Sequence, residues 1–304
     1  MRGGFALFLL VVCSCAGSDF ALQKIGAGVW AAIVNDEGKA GGNAGFVIGD
    51  EGVLVIDTFQ DPEPAAALLA EIRKITKLPI RFVVNTHYHL DHVNGNDVFA
   101  ATGAVIIAHK NARPWIRTEN MKMIDPPVTA EKKARVQSIA LPNLVYDTAL
   151  DLYLGARRVN VRYYPGHTGG DSVVSVPDAH VVFCGDLLWK DHIPNLIDAS
   201  TPQWIQTLDA MRKDYGESKW VPGHGGIAQA VDIATFKKYL VDLRATVRAE
   251  LAKGLSGDAI VRAILPSLKV TYGKWGFFDD LAAANITDTA QELAGTKKLP
   301  AATY

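Results

Sequence analysis

The segment Thr86-His87-Tyr88-His89-Leu90-Asp91-His92 places three imidazoles and a carboxylate within six residues. Neutral imidazole and carboxylate are the ligands that borderline divalent metals prefer. On an extended segment alternate side chains point the same way, so His87 and His89 can grip one ion. Asp91 and His92 sit where the chain must turn, and they can face a second. Four more segments end an apolar run with a potential ligand: Val55-Ile56-Asp57, Tyr164-Pro165-Gly166-His167, Phe183-Cys184-Gly185-Asp186 and Val221-Pro222-Gly223-His224. Glycine beside several of these ligands lets the backbone approach closely. Two metals about 3.5–4 Å apart can share a water and lower its pKa toward neutrality, generating hydroxide for attack on a carbonyl. A solvated His-rich loop is the competing reading, and the matching ligands elsewhere in the chain argue against it.

The elements that must position these groups alternate between strand and helix. Ile80–Asn85, bounded by Pro79, reads as a buried strand leading into the His-rich loop. Val29–Val34, Ala44–Ile48, Val53–Ile56 and Val105–Ala108 also read as strands. Asp61-Pro62 opens a helix to about Thr76, with Asp61 as N-cap and Pro62 in the first turn. A short helix is expected over Val93–Ala101, and another near 129–138 within an irregular, proline-interrupted stretch. The second half predicts strands at 151–154, 158–163, 172–176, 180–184 and 219–221. It predicts helices at 201–215, 230–253, 257–264 and 278–293, and a loose tail from Lys297.

A chain of 304 residues, half of them apolar, builds a substantial core. Formal net charge is −1 with no Lys/Arg block, so a nucleic-acid partner held by a basic face is not expected. Residues 1–21 read as a secretory signal: a positive start, the apolar run Phe5–Cys13, then small residues. This implies a periplasmic or secreted protein. Val12-Cys13-Ser14-Cys15 also resembles a lipoprotein cleavage box with a lipid anchor at Cys15, which would be the sole membrane attachment. The mature chain then keeps Cys184 alone, and one cysteine forms no internal disulfide. The expected organisation is a domain over 22–253 with a C-terminal helical extension over 254–304. The oligomeric state is not read from the sequence.

His87-x-His89-x-Asp91-His92, followed by His167, Asp186 and His224, resembles the metallo-β-lactamase-fold hydrolase superfamily from about residue 25 to 250. The resemblance implies an α/β fold, a four-layer αββα sandwich of two mixed β-sheets with helices outside. It implies two Zn2+ per chain: one on His87, His89 and His167, the other on Asp91, His92 and His224, with Asp186 bridging. Asp57 would orient a metal-bound His. Asp91 would also be catalytic, orienting the nucleophile and shuttling its proton. Five imidazoles and two carboxylates suit zinc, with iron or manganese as alternatives.

The expected activity is that of an exported zinc-dependent hydrolase using a metal-bridging hydroxide on the carbonyl of a small-molecule substrate, a β-lactam or related cyclic amide or ester. The stretch Trp189-Lys190-Asp191-His192-Ile193-Pro194-Asn195 resembles one in zinc β-lactamases where a Lys holds the substrate carboxylate and an Asn sits near the attacked carbonyl. Lys190 and Asn195 are the candidates here, with Trp189 and His192 as further substrate contacts. Two departures weigh against that subclass: Asp186 stands where those enzymes have Cys, and the spacing to Asn is shorter. Trp30, Trp115 and Phe20 are weaker candidates for groove walls. Alternatives are a lactonase or thioesterase of the same fold and a mononuclear-iron persulfide dioxygenase. An exported metal- or solute-binding protein without turnover would be expected to lack a ligand, and none is lacking.

Overall fold

The computed structural model describes residues 19–35, 38–124 and 126–302. The signal-like segment, with Cys13 and Cys15, lies outside them apart from its last three residues. The first sheet runs β1 (Phe20–Gly26), β2 (Val29–Val34), β3 (Ala44–Ile48), β4 (Val53–Ile56), β5 (Ile80–Val84), β6 (Val105–His109) and β7 (Leu144–Tyr146), in that spatial order. It is antiparallel from β1 to β4 and parallel from β4 to β7. The second sheet runs β12 (Lys219–His224), β11 (Val181–Trp189), β10 (Ser172–Val176), β9 (Arg157–Tyr163) and β8 (Ala149–Leu154). Its β11–β12 pair is parallel and the rest antiparallel.

The layers follow from which faces are apolar. Val47, Leu54, Ile56 and Val84 of the first sheet pack on Val161, Val174, Phe183 and Val221 of the second, forming one buried cluster between the sheets. The outer face of the first sheet (Phe46, Val53, Val55, Val83) is covered by Leu68 and Ile72 of α1 (Pro62–Ile75) and Phe99 of α3 (Asn96–Ala100). The outer face of the second is covered by α6 (Thr201–Tyr215), α7 (Ala230–Ala252), α8 (Asp258–Tyr272) and α9 (Phe278–Leu293). Strands buried on both faces read as continuous apolar runs rather than alternation, as β4 and β11 do. The result is an αββα sandwich of two mixed sheets. Among the described residues, no helix is long and apolar enough to cross a membrane.

Several elements differ from the sequence expectation. Phe20 and Ala21 pair with Val34 and Ile33 in β1, so the globular fold reaches back into the segment read as leader. β1 escaped notice because its alternation is poor: only Phe20 and Ile25 are buried, and the register shifts between Lys24 and Gly26. β7 is an edge strand of three residues with Leu144 and Val145 exposed. α4 (Ala112–Thr118) carries Pro114 in its first turn, where a missing N–H costs nothing. β11 runs past Cys184 to Trp189, and α8 continues through Pro266 to Tyr272. Asp61 is the N-cap of α1, but its side chain makes no capping bond. The tail is tied down: Lys297 Nζ donates to the carbonyls of Leu196 and Ala199, and Trp115 Nε1 donates to that of Ala301.

Candidate metal centre

The predicted ligands gather at one edge of the sandwich, most of them at or just beyond strand ends and Asp186 inside β11, toward its end. β5 delivers the loop with His87 and His89, and its continuation α2 (Leu90–Val93) carries Asp91 and His92. The turn after β9 carries His167, β11 carries Asp186 and β12 ends on His224. Parallel neighbours β4–β5 and β11–β12 place these ends together, which is where open α/β sheets form their sites.

The side chains form two groups that share one carboxylate. His87, His89, His167 and Asp186 make the first, and Asp91, His92, Asp186 and His224 the second; within each group the ligand atoms lie within 4.8 Å of one another. Asp186 Oδ2 is 3.6 Å from His87 Nε2, 3.3 Å from His167 Nε2 and 3.5 Å from His224 Nε2. Its Oδ1 is 3.0 Å from His92 Nε2. Asp91 Oδ2 lies 3.3 Å from His92 Nε2 and 3.2 Å from His224 Nε2. Nearly all of these groups are buried, with Asp91 the most open at 21 % of its side chain.

The nitrogens are short of partners. His87 Nε2, His92 Nε2, His224 Nε2 and Asp186 Oδ1 are buried without a hydrogen bond. Buried polar atoms are almost always satisfied, so a cluster of orphans converging on one space fits a bound cation. Burial pushes the His87 imidazole well below its ordinary range and His167 down to about 3, the neutral, lone-pair-bearing form that a metal requires. Burial also opposes charge on His92 and His224, but Asp91 and Asp186 push both upward, His224 to about 9. Desolvation opposes charge on Asp186 as well, yet the surrounding imidazoles hold it well below the carboxylate range. His87, His167 and Asp186 thus stand in the forms a divalent cation takes, and a cation at the second group would displace the protons that Asp91 and Asp186 favour on His92 and His224.

A second ring of contacts aims the ligands. Asp57 Oδ2 lies 2.9 Å from His92 Nδ1, and the Thr86 N–H and hydroxyl both donate to the same carboxylate at 2.7 Å. Asp198 does the same for His89: its Oδ2 is 3.4 Å from His89 Nε2, accepts from the Tyr88 hydroxyl, and its Oδ1 accepts from Lys122 Nζ at 2.6 Å. Burial opposes charge on Asp198, but the bonds from His89, Lys122 and Tyr88 hold it well below the usual range. Asn43 ties the His224 end to the other sheet, donating to the carbonyls of Pro222 and Gly225 at 2.9 and 2.8 Å. Gly223 must be glycine for room: a Cβ there would fall 1.8 Å from Asp186 Oδ1.

A cleft of about 550 Å³ opens over His89, Asp91, Asp186 and His224. Of the expected substrate contacts, the fold brings Trp189 and Asn195 to it. Trp189 stacks on His224 with ring centroids 3.8 Å apart. Lys190 and His192 do not line the cleft. Successive strand residues face opposite ways; because β11 extends to Trp189, Lys190 turns aside, donates to the Ile227 carbonyl at 2.9 Å and lies 3.4 Å from Asp232. His192 Nδ1 sits 2.7 Å from the Lys190 carbonyl. Phe20 and Trp30 stack on Phe59 and Phe46 in the outer layer, and Trp115 is buried against Tyr88. Cys184 is buried at the Val221 carbonyl, because Gly185, at φ 49°, breaks the alternation that would have aimed it beside Asp186.

Sequence reasoning missed Asp198, Tyr88, Lys122, Asn43 and Phe277. Asp198 had a signal, as an acid among Leu196, Ile197 and Ala199 beside a segment already singled out. The others had none.

Comparison with known proteins gives a consistent picture. The sequence model of the metallo-beta-lactamase superfamily matches residues 38–226. A linear primary-alkylsulfatase of Pseudomonas sp. (strain ATCC 19151) is 23 % identical over 211 residues, 58 % of this chain and 40 % of that protein. A hydroxyacylglutathione hydrolase of Brucella anthropi is 28 % identical over 182 residues, 60 % of this chain and 61 % of that protein. The chain thus spans about two fifths to three fifths of the length of these relatives. A solved metallo-beta-lactamase from Pontibacter korlensis shares the fold with a TM-score of 0.57 at 22 % identity, covering 76 % of this chain and 99 % of that one.

Proposed function

The chain belongs to the metallo-beta-lactamase superfamily, and from that premise we propose that it is an exported zinc-dependent hydrolase acting on an ester, lactone, thioester or amide carbonyl. The observation that carries this reading is the pair of buried four-ligand groups sharing Asp186. Zinc would be held by His87, His89 and His167 on one side and by Asp91, His92 and His224 on the other, with Asp186 common to both. Such an ion pair supplies Lewis acidity, lowering the pKa of water and polarising a carbonyl oxygen.

The protein's own groups do the rest. Asp91, the most open carboxylate of the cluster, can accept a proton at Oδ2 as water adds to the carbonyl and return it to the leaving group. Asp57 and Asp198 fix the rings of His92 and His89, so both keep the tautomer that leaves a lone pair for the cation. Trp189, stacked on His224, keeps bulk water from that side. Asn195 stands in the cleft wall as a polar group for the substrate.

A β-lactam is the weaker fit within this class, because Lys190, the group expected to hold its carboxylate, is engaged by Ile227 and Asp232. A mononuclear iron site is also the weaker fit, because the second ligand group is complete. Export rests on the leader-like N-terminal sequence alone. The test is to purify the mature chain, measure bound metal, and assay a chromogenic β-lactam, a lactone, an alkyl sulfate and a glutathione thioester in parallel. Two zinc per chain with turnover of a carbonyl substrate is expected. One iron with oxygen consumption, or metal-loaded protein inert on every carbonyl compound, would overturn the reading.

A further inference from the structure

The cleft wall beside His224 is built by residues outside the segment that the family model matches. Phe277 and Leu281 line the cleft, and they belong to the turn and first turn of α9, well beyond residue 226. Phe277 holds φ 58°, a backbone conformation that a bulky residue rarely adopts. Such a conformation persists where the surroundings fix it, and it clusters at ligand-contacting positions. Here the neighbouring Gly276 is pinned: its N–H donates to the Asp191 carbonyl at 2.9 Å, and its carbonyl accepts from Ile193 N–H at 2.8 Å. The Phe277 ring then meets Trp189 at 6.0 Å and His224 at 5.8 Å, both edge-on. Leu281, in the first turn of α9, lines the same cleft. Met123, Ile124 and Val136 add apolar lining from the segment between β6 and β7.

Away from the metal ligands, the charged side chains that line this cleft are Asp61, Lys132, Arg135 and Asp280. Arg135 lines it, but its guanidinium is bound to Asp97 at 2.6 Å and to the Asn94 side chain at 2.9 Å. Asp280 adds a negative charge next to the aromatic wall.

We infer that Phe277, Leu281 and Trp189, with Met123, Ile124 and Val136, form a pocket for an uncharged hydrocarbon acyl group, so that the substrate is an ester, thioester or lactone of a medium-chain acid. This deepens the hydrolase reading and rests on it for the reaction, though not for the binding. Each methylene taken from water into such a wall strengthens binding severalfold.

The test uses the metal-loaded full mature chain in two measurements. In the first, kcat/KM is measured for p-nitrophenyl acetate, butyrate and octanoate; with each of six methylenes about half removed from water in this open cleft, a rise of about 100-fold from acetate to octanoate is expected. In the second, Kd is measured for acetate and octanoate as ligands, with the same order expected. Phe277→Ala should shrink the octanoate-to-acetate ratio in both by about tenfold. Met123→Ser, on a different segment, should shrink it as well, and it keeps the test valid if Phe277→Ala does not fold. Turnover of all esters with no dependence on chain length would overturn the pocket and leave the hydrolase standing. Octanoate binding tightly without ester turnover would overturn the hydrolase and leave the pocket. Octanoate binding no tighter than acetate would overturn the pocket whatever the turnover.

Discussion

At the scale of single residues, the site depends on carboxylates that never touch the cleft. Asp198 lies 109 residues along the chain from His89 and 76 from Lys122, yet its oxygens meet His89, Tyr88 and Lys122 together. Removing its charge while keeping its shape should loosen the orientation of His89. Asp198→Asn is expected to weaken metal binding at the His87/His89/His167 position by about 10- to 100-fold and to leave the His92/His224 position closer to wild type. Competition with a chromogenic chelator at two metal equivalents would read this; identical release of both metals from variant and parent would refute the role. The histidines, Asp91 and Asp186 were legible from residue type and spacing. Asp198 was not, because nothing in a sequence states which distant ring a lone acid will reach.

At the scale of elements, the loop that carries Asn195 and Asp198 is held from outside by the last helix. Glu292 of α9 accepts from the Thr201 N–H at 2.8 Å at the start of α6. The same carboxylate accepts from the Thr201 hydroxyl and from Arg244 of α7. Glu292→Ala would leave Arg244, only 15 % exposed, without its carboxylate partner and with the Thr201 hydroxyl alone. Breaking a buried pair of this kind costs about 3 kcal/mol or more. A urea midpoint lowered with an unchanged slope is the expected result, and an unchanged midpoint would mean that the clamp contributes nothing. Helices α6, α7 and α9 were readable from their apolar spacing, and α8 in part, since Pro266 hid its second half. Strand β7 and helix α4 were not, because one is a three-residue exposed edge and the other holds a proline. The end of β11 mattered most, since its five extra residues set which of Trp189 and Lys190 meets the cleft.

At the scale of the whole molecule, the two sheets are joined near the site by His109. Its ring stacks on Tyr163 of the second sheet at 4.1 Å, and Nε2 donates to the Asp147 carbonyl at 2.9 Å. Its Nδ1 accepts from the Asn111 N–H at 3.3 Å, so both nitrogens are satisfied only in the neutral form. Burial accordingly lowers its pKa from the ordinary 6.5 to about 4. Above pH 6.5 the ring is neutral in folded and unfolded chains alike. As pH falls from 6.5 to 4 the unfolded chain takes up a proton that the folded chain refuses, so stability is lost across that window. The loss is on the order of 2 kcal/mol after allowing for solvent screening. His109→Gln should flatten this part of the acid limb in denaturant titrations at pH 7, 5.5 and 4; a limb as steep as that of the parent would count against the assignment.

What the sequence determined alone was the chemistry and the order of parts: ligand types, their place after apolar runs, and an alternation of strand and helix that leads to a layered α/β molecule. These are local properties, set by side-chain donors and by hydrophobic period. Which groups surround the cleft was decided only by the tertiary structure. Lys190 was lost to Ile227 and Asp232 by the twofold alternation of a strand longer than it read, and Phe277 was gained from the far end of the chain through packing on Trp189 and His224. Such contacts join residues distant along the backbone, and no period or spacing within either segment encodes them.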